Sequence, residues 1–164
     1  MRDNVITWKD LSKSGNIPLT DDCRIEILRP GGNFAIKDSS LPRPLAFKIT
    51  YGDESFLSGE YLDSAEVQSA LTETRGEALK SNVLYIPTIE AYPAFSGFLR
   101  AVSPQVLITR GLDPSSVQIN PELRKFMATT TLYETSKDGA VTIRTEGESL
   151  SVKTYLGEQS ANLQ

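Results

Sequence analysis

Three acidic residues carry the chemistry this sequence could support. Glu60, Glu90 and Asp113 each follow a short apolar run that reads as a strand, and Thr88 and Arg110 follow strand ends in the same way. In a sheet assembled from strand–helix units, sites form beyond the carboxyl ends of the strands. Converging there, the three carboxylates would make an all-oxygen site for a hard cation such as Mg²⁺ or Mn²⁺. The plainer reading is preferred, in which they are solvated loop carboxylates. Carboxylates are common in loops, and sequence spacing alone does not fix convergence. The 164 residues include no histidine. A Ser–His or Cys–His nucleophile is therefore impossible within this chain. There is no Gly-x-Ser-x-Gly, and Gly31-Gly32 lacks the Gly-Lys-Ser/Thr ending of a phosphate loop.

A second set of residues is basic. Arg100, Arg110, Arg124 and Lys125 are the best candidates for contacting phosphate, as in a nucleic-acid backbone. Ordinary surface charge balanced by nearby acids is the simpler account of them. The net charge of −4 agrees, since generic nucleic-acid binding depends on an excess of Lys and Arg. Trp8 is the single tryptophan and is expected to anchor the N-terminal segment, with base stacking as the weaker alternative. Tyr92, beside Pro93, reads as a packing residue at a helix entry. Cys23 is the single cysteine, so no internal disulfide is available, and its alternating context predicts a buried small residue.

The elements that would position these residues follow from periodicity. Apolar residues make up 39% and charged residues 23% of the chain, a globular balance. The first twenty residues are polar and read as an N-terminal extension. Cys23 to Leu28 alternates as a half-buried strand, and residues 31–44 form a Gly-, Ser- and Pro-rich loop. Leu45 to Tyr51 and Glu54 to Ser58 form a hairpin about Gly52-Asp53. A helix is predicted over 62–74, with Gly76 as its stop. The strand Val83–Ile86 follows, then a helix from Pro93 to Val102, then the strand 105–109. A third helix covers 121–129, with Asn120 as N-cap and Pro121 in its first position. Leu132 and Tyr133 lie in a short strand, and 140–145 with 149–155 form a closing hairpin. The tail from Gly157 is polar and expected to fray into disorder. The prediction is an α/β domain of the α+β type. It has a mixed β-sheet with helices outside it and a C-terminal β-hairpin. No apolar run approaches a membrane span of about 18 residues, and no signal-peptide core is visible.

Several of these stretches resemble the metallo-β-lactamase superfamily. More narrowly, they resemble the C-terminal domain of the ComEC-type DNA-internalisation competence proteins. Pro44 to Glu60 resembles the family's paired strands ending in Thr-Gly-Asp. Asn82-Val-Leu-Tyr-Ile-Pro87 resembles the strand before its Pro-His-His-Gly-Ser loop. Phe98 to Thr109 resembles the next helix and strand. Leu132 to Arg144 is similar to the closing segment. The resemblance covers roughly residues 20 to 156 by pattern, with 21–156 as the C-terminal part of an αββα sandwich and 157–164 as the tail.

The departures fall on the family's metal ligands. The Thr-Gly-Asp aspartate aligns with Glu60, the two loop histidines with Thr88 and Ile89, and a further histidine with Ile119-Asn120. The resemblance therefore implies a pseudoenzyme whose ancestral Zn or Mn site is lost, with no cofactor. It implies a non-catalytic domain of a DNA-uptake (transformation) protein, serving a structural or partner-binding role and attached to the cell membrane through its parent. The partners it suggests are the remainder of that membrane protein, a homodimer mate and, with least support, single-stranded DNA. The alternative is a metal-dependent nuclease or phosphoesterase half-domain completed by upstream residues or a second chain.

Overall fold

The computed structural model describes residues 15–28, 46–59, 62, 65–89, 93–112, 121–156 and 160–163. Among the described residues, the first four strands form an antiparallel meander: β1 (Gly15–Pro18), β2 (Cys23–Leu28), β3 (Ala46–Tyr51) and β4 (Glu54–Ser58). Three β-α-β crossovers follow. They use α1 (Ala65–Arg75), β5 (Val83–Tyr85), α2 (Pro93–Val102), β6 (Val106–Thr109), α3 (Pro121–Met127) and β7 (Thr131–Glu134). A 3₁₀ turn, Gly76–Leu79, continues α1, and a single helical turn, α4 (Thr135–Asp138), follows β7. The strands run in sequence order in one seven-stranded sheet, parallel from β4 to β7. Crossovers of one hand that advance in one direction place their helices on one face. The opposite face carries a smaller antiparallel sheet of β8 (Val141–Thr145), β9 (Leu150–Thr154) and β10 (Ser160–Leu163). The α+β architecture expected from the periodicity is present, with a mixed sheet, helices outside and a closing hairpin.

Alternation sorts side chains between the faces. Leu57, Leu84, Leu107 and Leu132 stand in register across β4 to β7. They join Phe95, Phe98, Leu99, Leu71 and Leu123 in the helix-side core. Val83, Val106, Ile108 and Tyr133 point the other way and meet Leu150 and Val152. The parallel half is thus covered on both faces, as parallel strands require.

Differences from the sequence reading have local causes. Part of the expected N-terminal extension pairs with β2 as β1, and part of the expected tail pairs with β9 as β10. Backbone pairing recruits polar segments that periodicity passes over. Leu62 lies outside α1 yet is buried, and its carbonyl accepts the Gln68 side-chain amide at 2.6 Å. Gly76 does break the α-helix, with φ 43, but the chain continues as the 3₁₀ turn. Cys23 is half-buried rather than buried, because it starts β2 at the open end of the sheet.

Gly52 makes the β3–β4 turn with φ 58. A Cβ there would meet the Gly147 carbonyl oxygen at 2.5 Å. The two hairpin turns touch, and the Asp53 N–H donates to Gly147 O at 2.8 Å. Only glycine permits both the conformation and the approach.

Candidate functional site

The carboxyl ends of β4 to β7 form one edge. The Gly59 N–H donates to Tyr85 O at 2.9 Å, and the Ile86 N–H donates to Ile108 O at 3.0 Å. Thr88 and Gly111 form a parallel bridge beyond the strands. The Thr109 hydroxyl and the Arg110 N–H both donate to Pro87 O, at 3.0 and 3.2 Å. These bonds extend the sheet past its ladders, so the strand-end loops begin from a fixed base.

Glu134 closes the edge at the end of β7 and is buried. Its Oε2 accepts the Leu112 N–H at 2.7 Å, and its Oε1 accepts a bond from Lys137 Nζ. Its own N–H donates to Asp138 Oδ2 at 2.7 Å. Desolvation pushes this carboxyl up, but the Lys137 bond, the Leu112 bond and the Lys137 charge outweigh it and hold the carboxyl below its ordinary value of 4.5. Glu134 is therefore an anion with both oxygens engaged, and it positions the segment that follows β6. Beside it, burial and the charge of Asp138 push the Tyr133 phenol up. Sequence reasoning missed Glu134 and Asp138 as an edge-forming pair. The available signal was Glu134-Thr-Ser-Lys137-Asp138 directly after an apolar strand, where one helical turn brings i and i+3 together.

The three predicted cation ligands, Glu60, Glu90 and Asp113, lie outside the described residues, as do Trp8, Tyr92, Ile119 and Asn120. Gly59, Ile89 and Leu112, their immediate neighbours, are described and sit at this edge. Of the two positions that align with the loop histidines, Thr88 is in the bridge and Ile89 is buried in the helix-side core. Among the described residues, no group of three or more His, Cys, Asp or Glu is placed to hold a metal.

The basic candidates divide. Arg100 on α2 and Lys125 on α3 share one acid, Glu122, at 3.2 and 3.4 Å. With Ser96, Phe126 and Thr129 they line a groove of about 240 Å³ between the helices. Arg124 stands on the same short helix, α3. Arg110 is exposed at the strand-end edge, away from that groove. Glu122 offsets the two nearest cations, and the four do not form one patch.

No protein-family model matches the chain, and no curated protein matches it. Among the described residues, no helix is long and apolar enough to cross a membrane.

Proposed function

We propose that this chain is a non-catalytic module that binds a protein partner through its sheet, within a DNA-uptake protein of the competence type it resembles. One observation carries the partner-binding part. Ile17, Ile25, Ile49 and Phe56 stand in register across β1 to β4, continuing the row of Val83 and Val106. The small sheet packs on Val83 and Val106, and its cluster reaches Phe56 but includes none of the three isoleucines. On the same strands the helix-side row is polar: Asn16, Glu26 and Lys48. A half-buried, uncharged isoleucine face beside a polar one fits a second apolar sheet face, packed at about 10 Å. The membrane attachment and the DNA-uptake role rest on the resemblance alone.

A metal-dependent phosphoesterase half-domain is the alternative. It is favoured by the position of Glu60, Glu90 and Asp113 in sequence, each next to a described residue beyond a strand end, Gly59, Ile89 and Leu112. In that reading a bound cation would activate water. Calorimetric titration with Mn²⁺ and Zn²⁺ separates the two. Tight binding that Glu60→Ala abolishes would overturn the non-catalytic reading. The partner face is tested by sedimentation. Without its partner the chain should self-associate with concentration, and Ile25→Lys with Ile49→Lys should return it to monomer. A monomer at every concentration, indifferent to these changes, would sink the partner face.

A further inference from the structure

A cleft lies at the opposite end of the sheet, where β4, β5 and β6 begin. It is an open depression of about 400 Å³ between the 3₁₀ turn, the end of α2 and strands β2 to β4. That volume suits a small molecule. Among the described residues, its lining holds three cations, Arg24, Lys48 and Lys80, against one carboxylate, Asp53.

The register explains the cations. Arg24 faces Thr50 and Glu26 faces Lys48 across β2 and β3, so Arg24 and Lys48 are diagonal neighbours on the helix side. Lys48 donates to the carbonyls of Ala78 and Lys80, which leaves one of its three ammonium donors. Burial pulls the Lys48 ammonium below its usual range; the charge of Glu26 opposes this, and that of Arg24 adds to it. Lys80 pairs with Glu77, but both side chains are well exposed and solvent screens the pair. Arg24 is in none of the ion pairs among the described residues.

Neutral donors complete the lining. Asn82 Oδ1 accepts the Ser55 N–H at 2.9 Å and the Ser55 hydroxyl at 3.0 Å. Those bonds fix the orientation of the amide and leave its NH₂ free to donate elsewhere. Ser103 stands in the lining with φ 48, where it ends α2 and its N–H donates to Leu99 O at 2.7 Å.

We infer that this cleft binds a small phosphate-bearing ligand, with Arg24 and Lys48 on the phosphate oxygens and Asn82 and Ser103 as neutral donors. A guanidinium fork matches phosphate geometry. An anion between Arg24 and Lys48 also replaces their mutual repulsion with shared attraction. Glu26 faces Lys48 and Glu77 pairs with Lys80, so Arg24 is the cation of the lining best placed to meet an incoming anion. The cleft lies at the far end of the strands from the carboxylate edge, so it stands independently of the function proposed above.

The test is amide NMR of the whole chain, titrated with inorganic phosphate, pyrophosphate and ATP at constant ionic strength. The expected result is saturable shifts at Arg24, Asn82 and Ser103. Arg24→Gln should weaken binding at least tenfold, and Arg144→Gln on β8 should leave it unchanged. Asn82→Asp keeps the acceptor for Ser55 but adds a negative charge, and should abolish binding in a folded protein. Saturation by inorganic phosphate alone would mark the free anion as the ligand; tighter binding of ATP would mark a nucleotide. Shifts that chloride reproduces, or wild-type affinity in Arg24→Gln, would overturn the proposal. So would binding of an oligonucleotide without binding of pyrophosphate.

Discussion

The seven-stranded sheet has two halves that solve the burial problem differently. Across β4 to β7 the helix-side row is Leu57, Leu84, Leu107 and Leu132. Across β1 to β3 the same row is Asn16, Glu26 and Lys48. The leucine row stops at β4, and beyond it only the Leu28–Ala46 pair of β2 and β3 joins the helix-side core among the described residues. On the other face the row stays apolar through Ile17, Ile25, Ile49 and Phe56 to Val83 and Val106. One sheet thus has a parallel half buried on both sides and an antiparallel half whose central row is polar on one side and apolar on the other. The parallel half holds most of the buried core, and the antiparallel half carries the isoleucine face proposed above for a partner.

The largest expected effect sets the halves against each other. Leu107→Ala removes a fully buried side chain from under the helices and should cost about 2–5 kcal/mol in urea unfolding. Ile49→Ala, at a half-buried position, should cost under about 2 kcal/mol. Equal losses would mean that the antiparallel face is packed as tightly as the parallel one, and the contrast would fail.

A smaller effect tests how the layers are joined. Gly52→Ala forces a Cβ against Gly147 O at a positive φ. The cost expected from backbone strain is about 1–3 kcal/mol. Faster exchange of the Asp53 amide should accompany it, because that N–H bonds to Gly147 O. A neutral Gly52→Ala would show that the two hairpin turns are not tightly docked.

The smallest effects are pH-dependent and oppose one another. The folded carboxyl of Glu134 lies below 4.5, so its contribution is present above that pH and is lost as pH falls through its folded value. Burial, with Asp53 beside it, raises Glu54 above 4.5. Its contribution is present below 4.5 and is lost as pH rises through its folded value. The Oε2 of Glu54 is buried without a hydrogen-bond partner. Glu134→Gln should flatten the acid side of the stability profile. Glu54→Gln should raise stability at neutral pH and flatten the other side. Profiles unchanged by either substitution would remove these two carboxyls from the account.

Much of the fold was legible because periodicity reports burial directly. The alternation of Cys23 to Leu28, the Gly52-Asp53 turn and the apolar stripe of Pro93 to Val102 each placed an element within a residue or two. Segments whose order depends on backbone pairing were not legible, since β1 and β10 carry no strong pattern of their own. Glu134 was missed for a related reason. Its role comes from Leu112, a residue 22 positions away, reached only when β6 and β7 align.

By itself, the sequence determined that this chain contains no imidazole chemistry and that its strands and helices alternate through the middle. Residue identity and local periodicity are properties of the chain, and no folding is needed to read them. The tertiary structure alone decided that the leucine row ends at β4, that the isoleucine row runs on past it, and that Arg24 and Lys48 share a cleft with Asn82. Those relations depend on strand order and register, which bring together residues distant in sequence.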